Sequence, residues 1–415
     1  MNHSYKKRKI INDPIYGFVT LPADLIYDLI NHPYFQRLRH IKQLGMTNLV
    51  YPGALHTRFH HAIGAMYLMT EAIDVLRSKQ IDITDAEAEA VSVAILLHDI
   101  GHGPFSHALE HTLVQGVNHE DISALLMEKL NEEFKGKLSL AIKIFNDKYK
   151  KKFLHQLVSS QLDMDRLDYL KRDSFFTGVS EGVISSDRII KMLNVKDDEL
   201  AVEEKGIYSI EKFIIARRLM YWQVYLHKTV VAAENILVNI LKRAKELSNK
   251  GEDLFATPAL SVFLKNNYGK KDFVSNPDLL DTFALLDDYD IFASIKVWTK
   301  HSDKILSMLC KSLVERKLFR IELKKEKIDA AYKKQLVEKA MRAYKVTEKE
   351  AAYYVVSGEV ENSAYKPNNV KINILMNDGS VMDIAQAGDQ LNVEVLSKTV
   401  KKYFICYPKT LNPKP

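Results

Sequence analysis

The chain has little cysteine: 415 residues include two, Cys310 and Cys406. They stand far apart and beside no metal-ligand pattern. That argues against a disulfide framework and a cysteine-built metal site, and it suits a reducing cytoplasm. No apolar run approaches the length needed to span a bilayer. The first residues, Met1-Asn-His-Ser-Tyr-Lys-Lys-Arg-Lys9, lack the apolar core of a signal peptide. A cytoplasmic protein without a membrane partner is therefore expected. Neither sign of charge dominates, with 59 Lys and Arg against 53 Asp and Glu and a formal net charge of +6. This mild excess suits anionic small molecules such as nucleotides; nucleic-acid binding is possible but not indicated. There is no internal repeat and no low-complexity tract apart from a polar tail at 409–415. A composition of 47% hydrophobic and 27% charged residues is that of a globular protein with one large domain or two or three smaller ones.

What is abundant is histidine, and it is clustered. His56, His60, His61, His98, His102, His107, His111 and His119 fall in one 64-residue window and make up eight of the chain's 14 histidines. A uniform spread would put about two there. Metal binding and phosphate chemistry both concentrate imidazoles in this way. At the centre lies Ile95-Leu-Leu-His98-Asp99-Ile-Gly101-His102-Gly-Pro-Phe-Ser-His107. The apolar run Val91 to Leu97 reads as a buried helix begun by the capping-box pattern Thr84-Asp-Ala-Glu87. Burying it carries His98 and Asp99 to the edge of the core. An ionised aspartate at that depth is costly unless a cation or a donor meets it.

Along the chain, residues 10–20 read as a small hairpin or extended arm. From Pro22 to Gln43 the pattern is helical, with Arg37, Arg39 and Lys42 expected to face solvent or ligand. Tyr51-Pro-Gly53 is a turn. Helices are expected over 58–76, 85–99 and 119–134. Asp165, Asp168 and Tyr169, at i, i+3 and i+4, share a helix face. Their neighbours Leu162, Met164, Leu167 and Leu170 are apolar, so at least one of these acids should be buried or paired. Residues 207–249 suggest one or two long helices, and helical sequence continues to about 345. Beyond about 350, Tyr353-Tyr-Val-Val-Ser, Val370-Lys-Ile-Asn-Ile-Leu and Val400 to Tyr407 look like strands, with a hairpin signal at Asn377-Asp-Gly379. The expected division is a helical body over 1–350 and a small α+β lobe over 351–415.

His61, His98, Asp99 and Asp165 are too far apart for one loop and can meet only where side chains of different helices face one another. Two imidazoles and two carboxylates suit Mn²⁺, Fe²⁺, Zn²⁺, Ni²⁺ or Mg²⁺ with positions left open for water. This His…His-Asp…Asp pattern resembles the HD-domain metal-dependent phosphohydrolases. Within them it is similar to the deoxynucleoside triphosphate (dNTP) triphosphohydrolases, the branch of the SAM- and HD-domain dNTPase and its bacterial relatives. The likeness rests on Ile11-Asn-Asp-Pro-Ile-Tyr-Gly17, Phe35-Gln-Arg-Leu-Arg-His-Ile-Lys-Gln-Leu-Gly45, Tyr51-Pro-Gly-Ala-Leu-His-Thr-Arg-Phe-His-His61, His98 to His107, and Asp163-Met-Asp-Arg-Leu-Asp-Tyr169. It is strong over roughly residues 10–230.

The resemblance implies a mainly α fold: an HD-domain helical bundle with the small α+β C-terminal lobe. It implies His61, His98, Asp99 and Asp165 as ligands of a divalent metal, with Mg²⁺ accompanying the nucleotide triphosphate. His107 would be the proton donor, with Glu110 and His119 in the same catalytic group. His102, Arg58, Arg166 and Arg217 would meet the phosphates. Gln43 and Leu44 would pack on the deoxyribose, and Tyr169, Asp173 and Tyr225 would close around it. One member of the family carries Lys in place of Arg166 and Asp in place of Glu110. Lys9, Asn12, Asn31, Gln36 and Arg39 match a regulatory nucleotide site between subunits. There Asn31 replaces a guanine-reading acid, so an effector other than a guanine nucleotide, such as an adenine nucleotide, is expected. The expected partners are a dNTP substrate, a nucleotide effector and copies of the same chain in a tetramer.

Overall fold

The computed structural model describes residues 9–105, 112–114, 116–365, 371–388 and 398–412. An antiparallel hairpin opens the described chain, β1 (Ile10–Asp13) against β2 (Gly17–Thr20). Two short helices follow, α1 (Asp24–Asn31) and α2 (Pro33–Gln36). The continuous helical pattern expected from Pro22 to Gln43 is broken here. His32 precedes a proline and takes an extended ψ of 139°, because the proline ring disfavours the α conformation of the residue before it. After α2 the chain tightens into a 3₁₀ turn, Arg37–His40.

The body is built on α3 (Arg58–Ser78) and α4 (Asp85–Leu97), which pack on each other. Around them lie α5 (His119–Glu133), α6 (Ser139–Phe145), α7 (Lys152–Val158), α8 (Met164–Thr177), α9 (Ser186–Lys191), α10 (Ile207–Met220) and α11 (Lys228–Asn249). Val91, Val93, Ala94, Ile95, Leu96 and Leu97 are all buried, so α4 is apolar on every side and forms the centre of the core. Its start is set as the sequence indicates. Thr84 Oγ1 accepts the Glu87 N–H at 3.2 Å, and Glu87 Oε2 accepts the Thr84 N–H at 2.8 Å. Asn118 caps α5 in the same manner, accepting the Asp121 N–H at 2.7 Å.

Glu87 also receives Lys151 Nζ at 2.9 Å and the Tyr149 hydroxyl at 2.7 Å. Burial works against its charge, but these donors outweigh burial and hold the carboxyl at about 2, below its usual 4.5. A carboxyl with a depressed folded-state pKa stabilises the fold above its unfolded pKa, and that stabilisation disappears as pH falls through the folded value. Glu87→Gln should therefore cost ~2 kcal/mol at pH 7. It should also flatten the loss of stability between pH 4.5 and about 2. Urea midpoints across that range check this, and unchanged acid sensitivity would count against it.

Besides the hairpin, the described residues form two sheets. β3 (Leu193–Lys196), β4 (Glu199–Glu203), β7 (Asn373–Leu375) and β8 (Val381–Asp383) form one, in the order β3-β4-β7-β8. β5 (Arg320–Lys324), β9 (Val400–Tyr407) and β6 (Val356–Asn362) form the other, in the order β5-β9-β6. Both sheets draw strands from either side of residue 350. The segment at 320–324, expected to be helical, is a strand because it pairs with β9 in register Arg320 to Tyr407. The strand expected at Tyr353 begins instead at Val356. The turn at Gly379, with φ +86°, joins β7 to β8 as anticipated. Cys310 and Cys406 are free and buried. No helix among the described residues is long and apolar enough to cross a membrane.

Candidate metal centre and active site

The four residues meet at the junction of α3, α4 and α8. His61 lies in the first turn of α3 and is fully buried. His98 and Asp99 follow the last turn of α4. Asp165 is in the first turn of α8, which Asp163 caps by accepting the Arg166 N–H at 2.7 Å. His61 Nε2 lies 3.1 Å from Asp165 Oδ1 and 3.8 Å from Asp99 Oδ2. His98 Nε2 lies 3.6 Å from Asp165 Oδ1 and 3.4 Å from Asp99 Oδ1.

The far sides of both imidazoles are held. His61 Nδ1 is 2.8 Å from Asp168 Oδ2, and His98 Nδ1 is 2.6 Å from the Ile95 carbonyl. Each Nδ1 therefore carries the proton it donates, which leaves each Nε2 to hold either a second proton or a metal ion. Both Nε2 atoms are buried and make no hydrogen bond. Lone pairs facing carboxylate oxygens at these distances repel unless positive charge lies between them. Burial opposes charging His61, yet Asp165 and Asp168 push its ring up to about 10. Burial would raise Asp165 and Asp99, but the surrounding imidazoles, together with Arg58 at Asp99, hold both well below the usual carboxylate range. A cluster that demands a cation and offers two nitrogen and two carboxylate donors fits a divalent metal ion.

The loop bearing the pair is braced on both sides. Ser123 Oγ donates to the His98 carbonyl at 2.8 Å and accepts the Gly101 N–H at 2.9 Å. A Cβ at Gly101 would sit 2.3 Å from the His119 carbonyl oxygen and from Ser123 N. Only glycine lets α5 approach that closely. On the other side Arg37 donates to the Ile100 carbonyl at 2.7 Å and the His102 carbonyl at 2.9 Å. This corrects the expectation that Arg37 faces solvent or ligand: it is buried and serves the backbone. Leu286, far along the chain, supplies a third carbonyl at 3.1 Å.

The remaining histidines divide by role. His60 Nδ1 accepts the Thr57 N–H at 3.2 Å and caps α3. His102 stacks on His119 with centroids 3.8 Å apart, and its Nε2 is 3.2 Å from Asp99 Oδ1. Burial and the Arg58 charge push His102 down to about 3. Arg58 itself reaches Asp99 Oδ2 at 2.5 Å. His56 Nε2 is 2.7 Å from Asp173 Oδ1, while Tyr225 donates to Asp173 Oδ2 at 2.7 Å. Tyr169 meets Tyr225 edge-on at 6.1 Å. Gln43 joins this group through its N–H, which donates to the His56 carbonyl at 3.0 Å. Its Oε1 is buried with no hydrogen-bond partner. Leu44 is half-buried beside it. Tyr225 ends a π-helical segment, Tyr221–Tyr225, which sequence periodicity did not show.

Arg166 donates to the Ser160 carbonyl at 2.7 Å and pairs with Asp163 at 3.3 Å. Arg217 donates to Gln161 at 3.2 Å. A cleft of about 470 Å³, lined among others by His98, Asp99, His119, His155 and Asp165, opens the cluster to solvent. A larger cavity of about 630 Å³ lies elsewhere, against Lys228, Arg316 and Arg320. His107 and Glu110 lie outside the described residues. The five residues matched to a regulatory site lie at the hairpin, α1, α2 and the 3₁₀ turn after it. Lys9 Nζ lies 3.9 Å above the Tyr27 ring, Asn31 donates to the Tyr27 carbonyl at 2.9 Å, and Asn12 is in β1. Gln36 donates to the Ile30 carbonyl at 2.6 Å and accepts from Arg39 Nε at 2.8 Å.

Comparison with known proteins matches the HD domain over residues 58–173 and the HD associated region over 184–258. The uncharacterized protein YwfO of Bacillus subtilis is 32% identical over 99% of this chain and 94% of its own length. The chain belongs to the HD-domain phosphohydrolase family. A solved phosphohydrolase from Bacteroides thetaiotaomicron is 56% identical, covers 97% of this chain and 100% of its own, and superposes with a TM-score of 0.94. The deoxynucleoside triphosphate triphosphohydrolase SAMHD1 homolog of Dictyostelium discoideum is 33% identical over 60% of this chain, and the match spans 52% of that protein. The HD match begins at Arg58 and ends at Asp173, the two residues that here pair with Asp99 and with Tyr225. Reasoning from sequence missed Arg37 and Ser123, which brace the loop of His98 and Asp99, and Arg172, which pairs with Asp13 and with the His61 partner Asp168. The glycines offered a signal: both Gly64 and Gly101 stand where a side chain would strike the supporting groups.

Proposed function

We propose that this protein is a metal-dependent dNTP triphosphohydrolase, cleaving dNTP and water to deoxynucleoside and triphosphate, activated by a second nucleotide. The observation that carries this reading is the arrangement along α8. Asp165 stands at the HD cluster, and Tyr169 and Asp173 follow one and two turns on, about 12 Å end to end. That span is comparable to a nucleoside. The backbone of Gln43 is tied to His56, the partner of Asp173; the buried Gln43 Oε1 is an acceptor without a partner, and a deoxyribose hydroxyl would satisfy it.

His61, His98, Asp99 and Asp165 would hold a divalent ion, which would supply Lewis acidity toward a phosphoryl oxygen and a water. Arg58 and Arg166, with Arg217 as a third cation, neutralise charge building on the phosphates. His102 and His119 line the phosphate path. His107, with Glu110 and His119 in its group, hands a proton to the departing 5′-oxygen. Tyr169, Asp173 and Tyr225, the last donating to Asp173, close on the sugar at its 2′ carbon and exclude a ribose hydroxyl by contact. The effector site is assigned to Lys9, Asn12, Asn31, Gln36 and Arg39, and the working assembly to a homotetramer. An effector bound only at an interface would stabilise that assembly by mass action.

The test is a product assay on metal-replete protein, with each dNTP and rNTP alone and in pairs. Deoxynucleoside with intact triphosphate is expected, with faster turnover when an adenine nucleotide is present. Activation by dGTP alone would sink the reading of Asn31. Release of orthophosphate or pyrophosphate would assign the protein to another HD phosphohydrolase activity. Nucleotide binding without turnover would assign it to sensing.

A further inference from the structure

We infer that the N-terminal hairpin is a working part of the metal centre, with Asp13 acting through Arg172 and Asp168 as a positioning residue for His61. This rests on the HD cluster holding a divalent ion, and on nothing about the substrate.

The four side chains form one continuous line across three elements. Asp13, at the end of β1, is fixed by its own turn: Oδ1 accepts the Ile15 N–H at 2.8 Å and the Tyr16 N–H at 3.0 Å. Its Oδ2 accepts Arg172 Nη1 at 2.9 Å. Arg172 then grips Asp168 with two prongs, Nε to Oδ2 and Nη2 to Oδ1, both at 2.9 Å. The same Asp168 Oδ2 accepts His61 Nδ1 at 2.8 Å. Asp13, Asp168 and Arg172 are all buried. The Tyr16 ring lies against Arg172, with the guanidinium 5.6 Å from its centre. Gly64 makes room for the grip, because a Cβ there would sit 2.1 Å from Arg172 Nη2 and from Asp168 Oδ1.

The charge count shows the direction in which the line works. Arg172 and Asp168 already neutralise each other, and an ion pair that only filled the core would stop there. Burying a second carboxylate adds desolvation cost. With Asp13 included the line carries a net charge of −1, and it ends on the ring whose Nε2 faces the proposed cation. Excess negative charge behind an imidazole raises the basicity of the opposite nitrogen, and the fixed Nδ1–H keeps that nitrogen aimed. The hairpin, which bears Lys9 and Asn12 on its outer side, thereby reaches the metal ligand without touching it.

Mn²⁺ alone is the probe, titrated calorimetrically into the metal-stripped full chain. Asp168→Asn is expected to weaken binding roughly 10- to 100-fold, the range for losing the partner of a ligating histidine. Asp13→Asn, of nearly the same shape but neutral, should weaken it in the same direction by roughly 3- to 10-fold. Glu87→Gln, which loosens the fold far from the line, should leave Mn²⁺ affinity unchanged. Gly64→Ala, which pushes Arg172 off Asp168 without altering any charge, should resemble Asp13→Asn and decides the matter should that variant not fold. Wild-type Mn²⁺ affinity in Asp13→Asn, or in Gly64→Ala in its stead, would make the hairpin contact purely structural and overturn the inference. A wild-type protein that binds no Mn²⁺ would overturn both this inference and the metal reading beneath it.

Discussion

Asp99→Asn and His98→Ala should each lower kcat/KM by ~10³-fold or more and abolish binding of the proposed divalent ion. The scale follows from the position of the pair. Removing one preorganised electrostatic contact in a buried site typically costs 10²- to 10³-fold, and each of these residues is both a proposed metal ligand and a wall of the cleft. The two variants differ in what they leave behind. Asp99→Asn keeps the shape of the side chain but removes the charge that faces Arg58 at 2.5 Å and His102 at 3.2 Å, so its melting temperature should fall. His98→Ala keeps the backbone carbonyl that Ser123 clamps, so its fold should change little while its metal is lost. Kinetics of the product assay, elemental analysis of the purified protein and thermal melts separate these effects. Full metal content with more than a tenth of wild-type activity in either variant would remove that residue from the ligand set.

The second large effect is on stability. Arg172→Met leaves Asp13 and Asp168 facing each other in the core with no cation between them, since both now pair with Arg172 at 2.9 Å. Breaking a buried ion pair by removing one partner costs about 3–5 kcal/mol. Methionine fills much of the volume, so the loss reports charge rather than a cavity. Arg172→Lys should cost less, because it restores the charge but cannot reproduce the two-pronged grip on Asp168. Denaturant midpoints with an unchanged slope check both. A shift in Arg172→Met below about 1 kcal/mol would mean that the carboxylates take up protons or water instead.

Much of the local structure was already legible in the chain. Thr84 and Glu87 announce the start of α4, Asn118 announces α5, and Val400 to Tyr407 form a strand at the residues expected. These signals are read correctly because the groups that satisfy them lie within four residues, or because a single period decides them. The apolar run before His98 likewise indicates that the His-Asp pair ends a buried helix. The concentration of imidazoles between His56 and His119 indicates chemistry there.

What the chain could not show by itself is who meets whom across long separations. The periodicity of residues 35–44 gives Arg37 a face but not a cover; the Leu286 carbonyl, 249 positions away, makes that face interior. The Asp13–Arg172 pair spans 159 positions. The strand Arg320–Lys324 exists because β9 pairs with it, and β4 runs parallel to β7 across a separation of more than 150 residues. Among the three acids of 163–168, the sequence singled out Asp165 for the cluster, but position alone did not say that Asp163 caps α8 and that Asp168 holds His61. Local sequence encodes backbone propensity and the choice of face, which are short-range energies. Burial of a charge is decided by its distant partner, and that partner is in place only once the whole core has packed.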